Sequence, residues 1–550
     1  MKNIITNADV KTNSAMDSAD DADGSLRLDD RSQRIEMPRI PDGLWLVTDY
    51  GAVGDGMTMN TGAISSAIQA CADAGGGRVV IPPGVWLTGP ISLRSRTEIY
   101  AERGALVLFS QNFDDYPLVS STFEGIPTVR CQSPIDGEDL EDIAITGEGI
   151  FDGAGEAWRP VKREKMTNAE WTSLLQSGGV LDDAGRIWWP TKEARDGSSI
   201  VKRLQQEGIA DPLAFKPARD FLRPVLVSLR RCRRVLLDGP TFQNSACWCL
   251  HPWACQHLTV RNVMVRNPWS AQNGDGIDLD SCQHVLLENS SFDVGDDAIC
   301  LKSGRDEAGR KLGIASAFIQ IRDCVVYHGH GGVVIGSEMS GGVHDVNVSD
   351  CTFIGTDIGL RFKSARGRGG VVENILMERI RMKNIAGEAI SFHMFYDGQE
   401  GSGEGSDVEM EVSEETPVFR DIRIKDVVCT GAKRAVLMNG LAELPLANVA
   451  IGELTASCDT GISLNHATGI RLNQVRLRVQ AGPLVELNQC TNALVNGLIG
   501  EDFLHGAAMV LSGERTEGIV CRGSRTCAGR LAEASVRLAP GVRPGALTLD

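Results

Sequence analysis

The sequence is poor in aromatic residues and has no long apolar segment. Phe, Trp and Tyr make up 5% of its 550 residues, so the broad aromatic surfaces on which non-catalytic binding proteins depend are scarce. No stretch approaches the roughly 20 consecutive apolar residues that span a bilayer. A soluble protein is therefore expected, and 42% hydrophobic residues are enough to build a sizeable core.

An excess of positive charge is also missing. The formal net charge is −17 and the sequence pI is about 5.1. These values argue against nucleic acid or an anionic membrane as a partner. An acidic substrate would have to be attracted by a local basic patch. The sequence does not predict an oligomeric state.

Paired cysteine motifs are absent as well. The chain has 15 cysteines, an odd number, and no C-x-x-C pair typical of zinc or redox sites. Cys232, Cys255 and Cys282 each stand three residues before a repeated apolar position, which predicts stacking in the interior as small hydrophobes. The first residues lack the apolar segment of a secretory signal. We expect reduced thiols, a cytoplasmic location and no metal or other cofactor.

What the sequence has in abundance is a repeat with a period of two. Pairs of apolar residues bounded by polar turns recur about every 21 to 34 residues, the range of solenoids. Because apolar and polar residues alternate, the repeat predicts strands and excludes a helical solenoid. The expected fold is all-β, a single right-handed parallel β-helix of about ten coils. The pairs are Val235/Leu237, Leu258/Val260, Val285/Leu287, Ile319/Ile321, Val346/Val348, Ile375/Met377, Ile422/Ile424, Val449/Ile451 and Ile470/Leu472.

Composition divides the chain into three parts. Residues 1–37 are predicted to be a disordered acidic tail, 38–515 the β-helix, and 516–550 a C-terminal tail. An amphipathic helix at about Thr61–Ala74, with Asn60 as its cap, is expected to cover the first coil. A helix-prone insertion at about 158–223 and a mobile acidic loop at about 397–415 interrupt the repeat. A calcium site in that loop is the less favoured alternative.

Four short motifs stand out between residues 273 and 363. Each lies just before or within an apolar pair, so the pairs align the motifs with one another if they are the inward residues of successive parallel strands. The pairs are Ile277/Leu279, Ile299/Leu301, Val333/Ile335 and Leu360/Phe362. The motifs are Asn273-Gly274-Asp275, Gly295-Asp296-Asp297, Gly329-His330-Gly331 and Arg361-Phe362-Lys363.

That alignment predicts a cluster of functional side chains. Neighbouring strands lie about 4.8 Å apart, which places Asp275 over Asp297, with Asp296 beside them and His330 one coil further on. Between the inward residues, the strands are expected to turn four side chains outward, followed by the cations Lys302 and Lys363. Three carboxylates, an imidazole and a cationic rim therefore converge on one face. The four outward positions are Asp278, Cys300, Val334 and Arg361.

The four motifs, in this order, resemble those of glycoside hydrolase family 28, the polygalacturonases of pectin breakdown, and most resemble its bacterial exo-acting members. The resemblance runs from about Trp45 to Val510. Three departures are visible: Gly274 stands where the family usually has Thr, Phe362 where it usually has Ile, and the third follows the aspartate pair. The family commonly has a cysteine after the aspartate pair, but Ala298 takes that place here. The disulfide of secreted relatives is therefore not expected.

The resemblance implies hydrolysis of α-1,4-linked galacturonate with inversion. Following the family's roles, Asp296 is the general acid, and Asp275 and Asp297 activate water. General chemistry agrees that glycoside hydrolysis needs an acid and a base, and that crowded carboxylates raise at least one pKa. His330 is expected to tune Asp296 or to bind a sugar hydroxyl. The spacing does not exclude Asp278 from catalysis.

The cations are predicted to bind substrate. Arg361 offers a planar fork and Lys363 a point charge for a uronate carboxylate. Lys302 is expected to pair with Asp280 or to reach substrate, and Asn273 to bind substrate. Exo action is expected because the 158–223 insertion and the loop at 304–317 are placed to close one end of a groove.

Other functions stay open at this stage. The enzyme could hydrolyse another pectic uronide, rhamnogalacturonan or xylogalacturonan. A pectate-lyase-like β-helix would need a calcium cluster and an arginine base, and would release unsaturated products. A non-catalytic polysaccharide-binding β-helix would bind without turnover. Release of reducing sugar in the presence of a chelator separates the hydrolase from both.

Overall fold

The computed structural model describes residues 34–395, 408–503 and 506–550. In it the chain winds into a right-handed parallel β-helix, as predicted, and each coil adds one strand to each of three faces, sheets I, II and III. The predicted apolar pairs lie in sheet I in the predicted register, with Val235 beside Leu258 and Leu258 beside Val285. Alternation of apolar and polar residues thus sets which side chains enter the core.

Sheets I and II are built from short strands. Sheet I consists of Leu44–Leu46, Gly77–Ile81, Thr97–Ala101, Glu141–Gly147, Arg233–Asp238, Gln256–Arg261, Gln283–Glu288, Ser316–Arg322, Val343–Ser349, Arg471–Asn473, Leu494–Asn496, Ile519–Arg522 and Leu547–Leu549. Sheet II consists of Gly84–Thr88, Ala105–Phe109, Ile150–Asp152, Thr241–Gln243, Met264–Arg266, Ser291–Asp293, Val325–His328, Thr352–Ile354, Arg476–Val479, Ile499–Glu501 and Arg525–Thr526.

Sheet III carries the four motifs. Five of its strands are labelled here: β1 (Leu250–Trp253), β2 (Ile277–Asp280), β3 (Asp297–Lys302), β4 (Gly331–Ile335) and β5 (Ile358–Lys363). Three long strands run through all three sheets: Val371–His393, Val418–Asn439 and Leu446–Asn465. The remaining strands of sheet III are Ile91–Ser92, Ile135–Glu138, Val227–Arg230, Val485–Asn488, Met509–Ser512 and Val536–Leu538. Two short pieces pair elsewhere: Ala467–Thr468 with the start of the third long strand, and Gly529–Arg530 with Arg525–Thr526 of sheet II.

Stacked residues stabilise both the core and the turns. Inside, Phe362 stacks on Phe392 with ring centroids 4.2 Å apart. At the turns, Asn262 and Asn289 adopt left-handed backbone conformations, with φ of 56° and 48°, which short polar side chains tolerate best. The Asn289 side chain donates to Asn262 Oδ1 at 2.5 Å. These two turn residues therefore stack in adjacent coils.

The first coil is covered by helix α1 (Thr61–Asp73), which buries Ile64, Ala67, Ile68 and Cys71. Asn60 takes the predicted N-cap position, but its side chain makes no cap hydrogen bond there. Asn60 Oδ1 instead accepts from the Val53 backbone N–H at 2.7 Å, and its amide donates to the carbonyls of Val53, Thr58 and Leu87. A buried Asn in an apolar turn satisfies nearby backbone groups first.

The stack is longer than predicted. The strands after residue 515 pair with their predecessors, Met509 with Val536 and Ile519 with Leu547. The predicted C-terminal tail at 516–550 is therefore wrong, because its short apolar alternations join the sheets. Of the predicted N-terminal tail, residues 1–33 lie outside the described residues, as do 397–407 of the predicted acidic loop. Residues 408–415 form irregular backbone, and Glu415 accepts from the N–H groups of Gly367 and Gly369.

Two additions stand beside sheet III. The predicted insertion at 158–223 contains α2 (Asn168–Gln176), α3 (Lys192–Gln206), a 3-10 segment at Pro212–Phe221 and an antiparallel sheet of Val161–Lys162, Val180–Leu181 and Ile187–Trp189. The second addition, which the sequence reasoning missed, is a hairpin of Leu118–Phe123 and Ile126–Cys131. Trp158, Leu204 and Phe215 of the insertion pack with Tyr116 and Val129 beside and within the hairpin.

The remaining helical pieces are short. Helix α4 spans Asp306–Leu312, and 3-10 turns occur at Val47–Tyr50, Phe113–Asp115, Gly155–Ala157, Arg163–Lys165 and Glu533–Ser535. Among the described residues, no helix has the length and apolarity to cross a membrane. All 15 cysteines are unpaired and all but Cys527 are buried. Burial raises the pKa of Cys490 to about 12, which makes such thiols unreactive.

Candidate active site

The predicted stacking of the four motifs is confirmed by the register of sheet III. Ile277 of β2 lies beside Ile299 of β3, which lies beside Val333 of β4, which lies beside Leu360 of β5. All four are fully buried. Asp275 and Asp297 therefore enter sheet III at the same height in adjacent coils, and Asp296 and His330 lie in the turns just before β3 and β4.

Three carboxylates meet at this point. One oxygen from each of Asp275, Asp296 and Asp297 lies within 4.8 Å of the other two. The Asp297 N–H donates to Asp296 Oδ1 at 3.0 Å, and the Asp296 carbonyl accepts from the His330 N–H at 2.8 Å. Gly295 is required before the pair, because a side chain there would meet the Pro268 carbonyl at 2.5 Å. The predicted carboxylate cluster is present.

His330 contacts Asp296 through its side chain. Its Nδ1 lies 3.2 Å from Asp296 Oδ1, and its Nε2 lies 3.8 Å from Asp357 Oδ2. The hydrogen bond to Asp296 raises the pKa of His330, although burial opposes the change. Burial also disfavours the Asp296 anion, but His330 outweighs it and lowers the pKa of Asp296 to about 2. The two side chains therefore share a proton as a pair.

Asp297 lies between the carboxylates and the cations of β5. It is 1% exposed, and Lys363 Nζ donates to its Oδ2 at 2.6 Å. Arg361 Nη1 lies 3.7 Å from Asp297 Oδ1. Burial opposes ionisation, but the two cations outweigh it and lower the pKa of Asp297. Gly331 allows this reach across a coil, since its missing side chain leaves room beside Asp297.

Asp275 behaves in the opposite way. It is 4% exposed, and its Oδ1 has no hydrogen-bond partner among the described residues. Burial, and then the charges of Asp296 and Asp278, raise its pKa well above the ordinary value. The expectation of at least one raised carboxyl pKa is thus confirmed. Among the three clustered carboxylates, Asp275 has the raised pKa. Asp296, which has the predicted role of acid, instead has a lowered pKa.

The predicted roles of the cations need correction. Lys363 is 5% exposed and hydrogen-bonds Asp297, so its first partner is inside the protein. Lys302 does not pair with Asp280: its Nζ donates to Glu338 Oε2 at 2.9 Å and lies 3.7 Å from Asp278 Oδ1. Lys302 is also 4% exposed. Burial leaves neither ammonium in open contact with solvent, because loops cover this face.

The predicted outward positions are in register but are mostly buried. Asp278, Cys300 and Val334 are fully inaccessible. Both carboxylate oxygens of Asp278 lack a hydrogen-bond partner among the described residues. Burial raises the pKa of Asp278 well above its ordinary value, against the attraction of Lys302. The alternation of residues along a strand correctly predicts which side chains point away from the core. It cannot predict that another segment covers the outer face.

The hairpin of residues 118–131 lies over the upstream end of this face. Phe123 lies against Trp248 with ring centroids 4.6 Å apart, and Lys302 Nζ lies 5.1 Å from the centre of the Trp248 ring. At the tip of the hairpin, Glu124 Oε2 accepts from Arg305 Nη1 at 3.3 Å. The adjacent Gly125 lies so close to the Gly304–Arg305 backbone that a side chain would collide with it. The hairpin and the Gly304–Arg305 segment therefore cover the upstream end of the face.

Several residues of the site were missed. Glu338 pairs with Lys302, which lowers the pKa of Glu338 to about 2 in spite of burial. Gly336 is the position that aligns with Lys302, and Glu338 lies two residues beyond it. That spacing is a signal that could have identified Glu338. Arg223 donates to Asn273 Oδ1 at 2.8 Å, so Asn273 is positioned by the end of the insertion. No sequence pattern links those two residues.

Comparisons with known proteins agree with this geometry. The model of "Glycosyl hydrolases family 28" matches residues 218–469, and that of "Rhamnogalacturonase A/epimerase, pectate lyase-like" matches 46–113. The chain is 31% identical to the solved "hyperthermoactive Exopolygalacturonase from Thermotoga maritima", with a TM-score of 0.69, covering 80% of this chain and 93% of that one. It is 29% identical to the "Exo-poly-alpha-D-galacturonosidase" of Dickeya chrysanthemi, over 76% of this chain and 68% of the relative. The Yersinia enterocolitica "Family 28 Exopolygalacturonase" shares the fold at 22% identity and a TM-score of 0.61, covering 86% of this chain and 78% of that one.

Proposed function

This chain belongs to family 28 of the glycosyl hydrolases, and from that premise we propose that it is an exo-acting polygalacturonase or galacturonidase. Its substrate is α-1,4-linked galacturonate in pectic oligosaccharides, which it hydrolyses with inversion. One observation carries the exo assignment: the face that holds Asp275, Asp296 and Asp297 is roofed on its upstream side. A chain end can enter such a site, whereas a continuous polymer cannot pass through it.

The roof has three contributors. The hairpin covers Trp248 with Phe123, the loop before α4 contributes Arg305, and the 158–223 insertion packs behind the hairpin. The sequence predicted the second and third of these. Arg361 and Lys363 belong to β5, on the downstream side of the carboxylates.

The chemistry follows from the three carboxylates. Asp296 protonates the leaving oxygen, and Asp275 with Asp297 activates water on the other side of the sugar ring. In the free protein His330 outweighs burial and lowers the pKa of Asp296 to about 2, whereas burial raises the pKa of Asp275, so substrate binding must raise the pKa of Asp296 for it to act as the acid. His330 lies beside the group that must take up the proton, since its Nδ1 is 3.2 Å from Asp296 Oδ1. A uronate carboxylate bound beside the cluster further favours protonated Asp296.

The three carboxylates lie closer together than the acid and base of most inverting glycosidases. Acid and base in inverting glycosidases are generally about 6.5 to 9.5 Å apart, and in retaining enzymes about 5 to 5.5 Å. The nearest oxygens here lie within 4.8 Å, which by that rule favours retention. We infer inversion because two carboxylates are available to hold one water while the third serves as acid. The anomer formed first decides between the two mechanisms.

The test is product analysis on a defined oligogalacturonide labelled at its reducing end. Wild-type enzyme should release monomer or dimer from the non-reducing end, with a chelator present and without products that absorb in the ultraviolet. Phe123→Ala, which removes the ring against Trp248, should increase internal cleavage, whereas Met57→Ala on the exposed N-terminal cap should not. Early loss of polymer viscosity with little monomer from the wild type would contradict exo action.

A further inference from the structure

The insertion contributes one cation directly to the catalytic face. Lys165 Nζ lies 3.4 Å from His330 Nε2 and 4.8 Å from the centre of the Trp269 ring. Lys165 is far from His330 in sequence and belongs to none of the four motifs. Its position requires an explanation, because a cation beside an imidazole disfavours protonation of that imidazole.

The local structure holds Lys165 in place. It is the last residue of the short turn Arg163–Lys165, which follows the edge strand Val161–Lys162 of the small antiparallel sheet. Arg163 donates to the Met166 carbonyl at 3.0 Å and lies 5.6 Å from the centre of the Trp171 ring. Trp269 lies against the ammonium on the other side. These contacts on both sides therefore hold Lys165 beside His330.

Charged groups surround His330 on every side. At Nδ1 lies Asp296, and at Nε2 lie Asp357 and Lys165. Asp297 acts on it through space. The three carboxylates favour the imidazolium, and Lys165 alone among these four groups opposes it. An ammonium can donate to Nε2 only when that nitrogen carries no proton.

We propose that Lys165 is a positioning residue that acts through His330: by donating to Nε2, it displaces the proton of that nitrogen, which exchanges through solvent onto Asp296. This inference rests on the proposed function for its catalytic meaning. In the form that Lys165 favours, His330 is neutral, its Nδ1–H donates to Asp296 Oδ1, and the proton lies on Asp296 Oδ2. Asp296 then gives that proton to the leaving glycosidic oxygen as the bond to the sugar carbon breaks. The Nδ1–H stabilises the carboxylate that remains, and the proton that water loses on attack restores the balance.

The opposite form is less productive. With protons on both nitrogens, His330 is a cation and Asp296 an anion, so no proton faces the leaving oxygen. Removing the Lys165 charge favours this form. Without the Lys165 charge, the pKa of His330 rises, so the doubly protonated imidazole loses its proton at a higher pH. A loss of rate should therefore accompany an upward shift of the alkaline limb of the pH profile.

The experiment compares Lys165→Met with Lys165→Arg and with Lys192→Met, a control that removes an exposed lysine from the same insertion. For Lys165→Met, kcat should fall about tenfold, KM should stay within about twofold, and the alkaline limb of kcat should move to higher pH. Lys165→Arg should restore most of the rate, because it keeps a charged donor. The control should match the wild type. Methionine keeps the apolar stem over Trp269, so unfolding temperature serves as a check on structure.

A second readout does not depend on activity. Long-range ¹H–¹⁵N NMR of the histidine rings, assigned with His330→Gln, reports which ring nitrogens carry protons. At a fixed neutral pH, Lys165→Met should increase the protonated fraction at Nε2. A raised KM with unchanged kcat profile and unchanged ring protonation would overturn the proposal and make Lys165 a substrate ligand. If the wild type does not hydrolyse galacturonides, the proposed function fails, while the NMR result still tests the link between Lys165 and His330.

Discussion

The ion pair between Lys363 and Asp297 is expected to stabilise the fold as well as the site. Its atoms are 2.6 Å apart, and the two side chains are 6% and 1% exposed. At an effective dielectric constant of about 20, such a pair attracts with about 6 kcal/mol, and the cost of removing both charges from water offsets part of this. Lys363→Met leaves Asp297 buried without its nearest cation. We therefore expect a loss of about 3 to 5 kcal/mol in the free energy of unfolding.

The assay is equilibrium unfolding in guanidinium chloride, followed by tryptophan fluorescence at neutral pH. Asp297→Asn in the Lys363→Met background should recover stability, because it removes the stranded charge, and the double-mutant cycle should give a coupling of about 3 kcal/mol. Activity should not recover, since water activation is the role proposed for Asp297. Arg379→Met is the control, because Arg379 and Asp350 form an exposed pair at a similar 2.7 Å, and it should cost less than about 1 kcal/mol. If Lys363→Met costs no more than the control, the buried pair does not stabilise the fold and the proposed reasoning fails.

Three further predictions concern catalysis and pH. Asp275→Asn, Asp296→Asn and Asp297→Asn should each reduce the release of reducing sugar about 100-fold or more while the protein stays folded; a variant that keeps a tenth of the rate is not an acid or base. Proton NMR of early hydrolysis should show the β-anomer first, whereas the α-anomer would establish retention and reassign the roles. The pKa values of Asp296 and Glu338 lie at about 2, below the ordinary 3.8 and 4.5, so both groups bind fewer protons in the folded state. Their contribution to stability is complete above the ordinary pKa values and is lost as pH falls towards about 2. Glu338→Gln should therefore flatten the dependence of unfolding free energy on pH between pH 5 and 2. An unchanged slope would contradict the Lys302–Glu338 assignment.

The register of the site could be predicted from sequence for a simple reason. Pairs such as Ile277/Leu279 and Ile299/Leu301 must both enter the core, and one residue of slip would turn either pair outward. That constraint fixes the height of Asp275 relative to Asp297. The turn residues before each strand follow from the same alignment, which is why Asp296 and His330 were also placed correctly.

Side-chain partners and coverings were not predictable in this way. Lys302 was aligned correctly but its partner was not, because Glu338 reaches it from a loop beyond β4. The hairpin was missed because the residues from Leu118 to Cys131 mix apolar and polar side chains without regular alternation. Asn60 was assigned to the helix because a cap needs only local sequence, whereas its actual partners include the distant Leu87. The cytoplasmic location stays a prediction.

The spacing of the coils has a consequence for how such an enzyme can change its specificity. The segments that join β2 to β3, β3 to β4 and β4 to β5 differ in length, and the one between β3 and β4 includes α4. The carboxylates nevertheless keep their heights, because hydrogen bonds between adjacent strands set the distance between coils. Connecting loops are therefore free to lengthen, shorten or be exchanged while the reacting groups stay in place. The solenoid separates the part of the molecule that selects a substrate from the part that cleaves it, so a new preference can arise in the loops without rebuilding the chemistry.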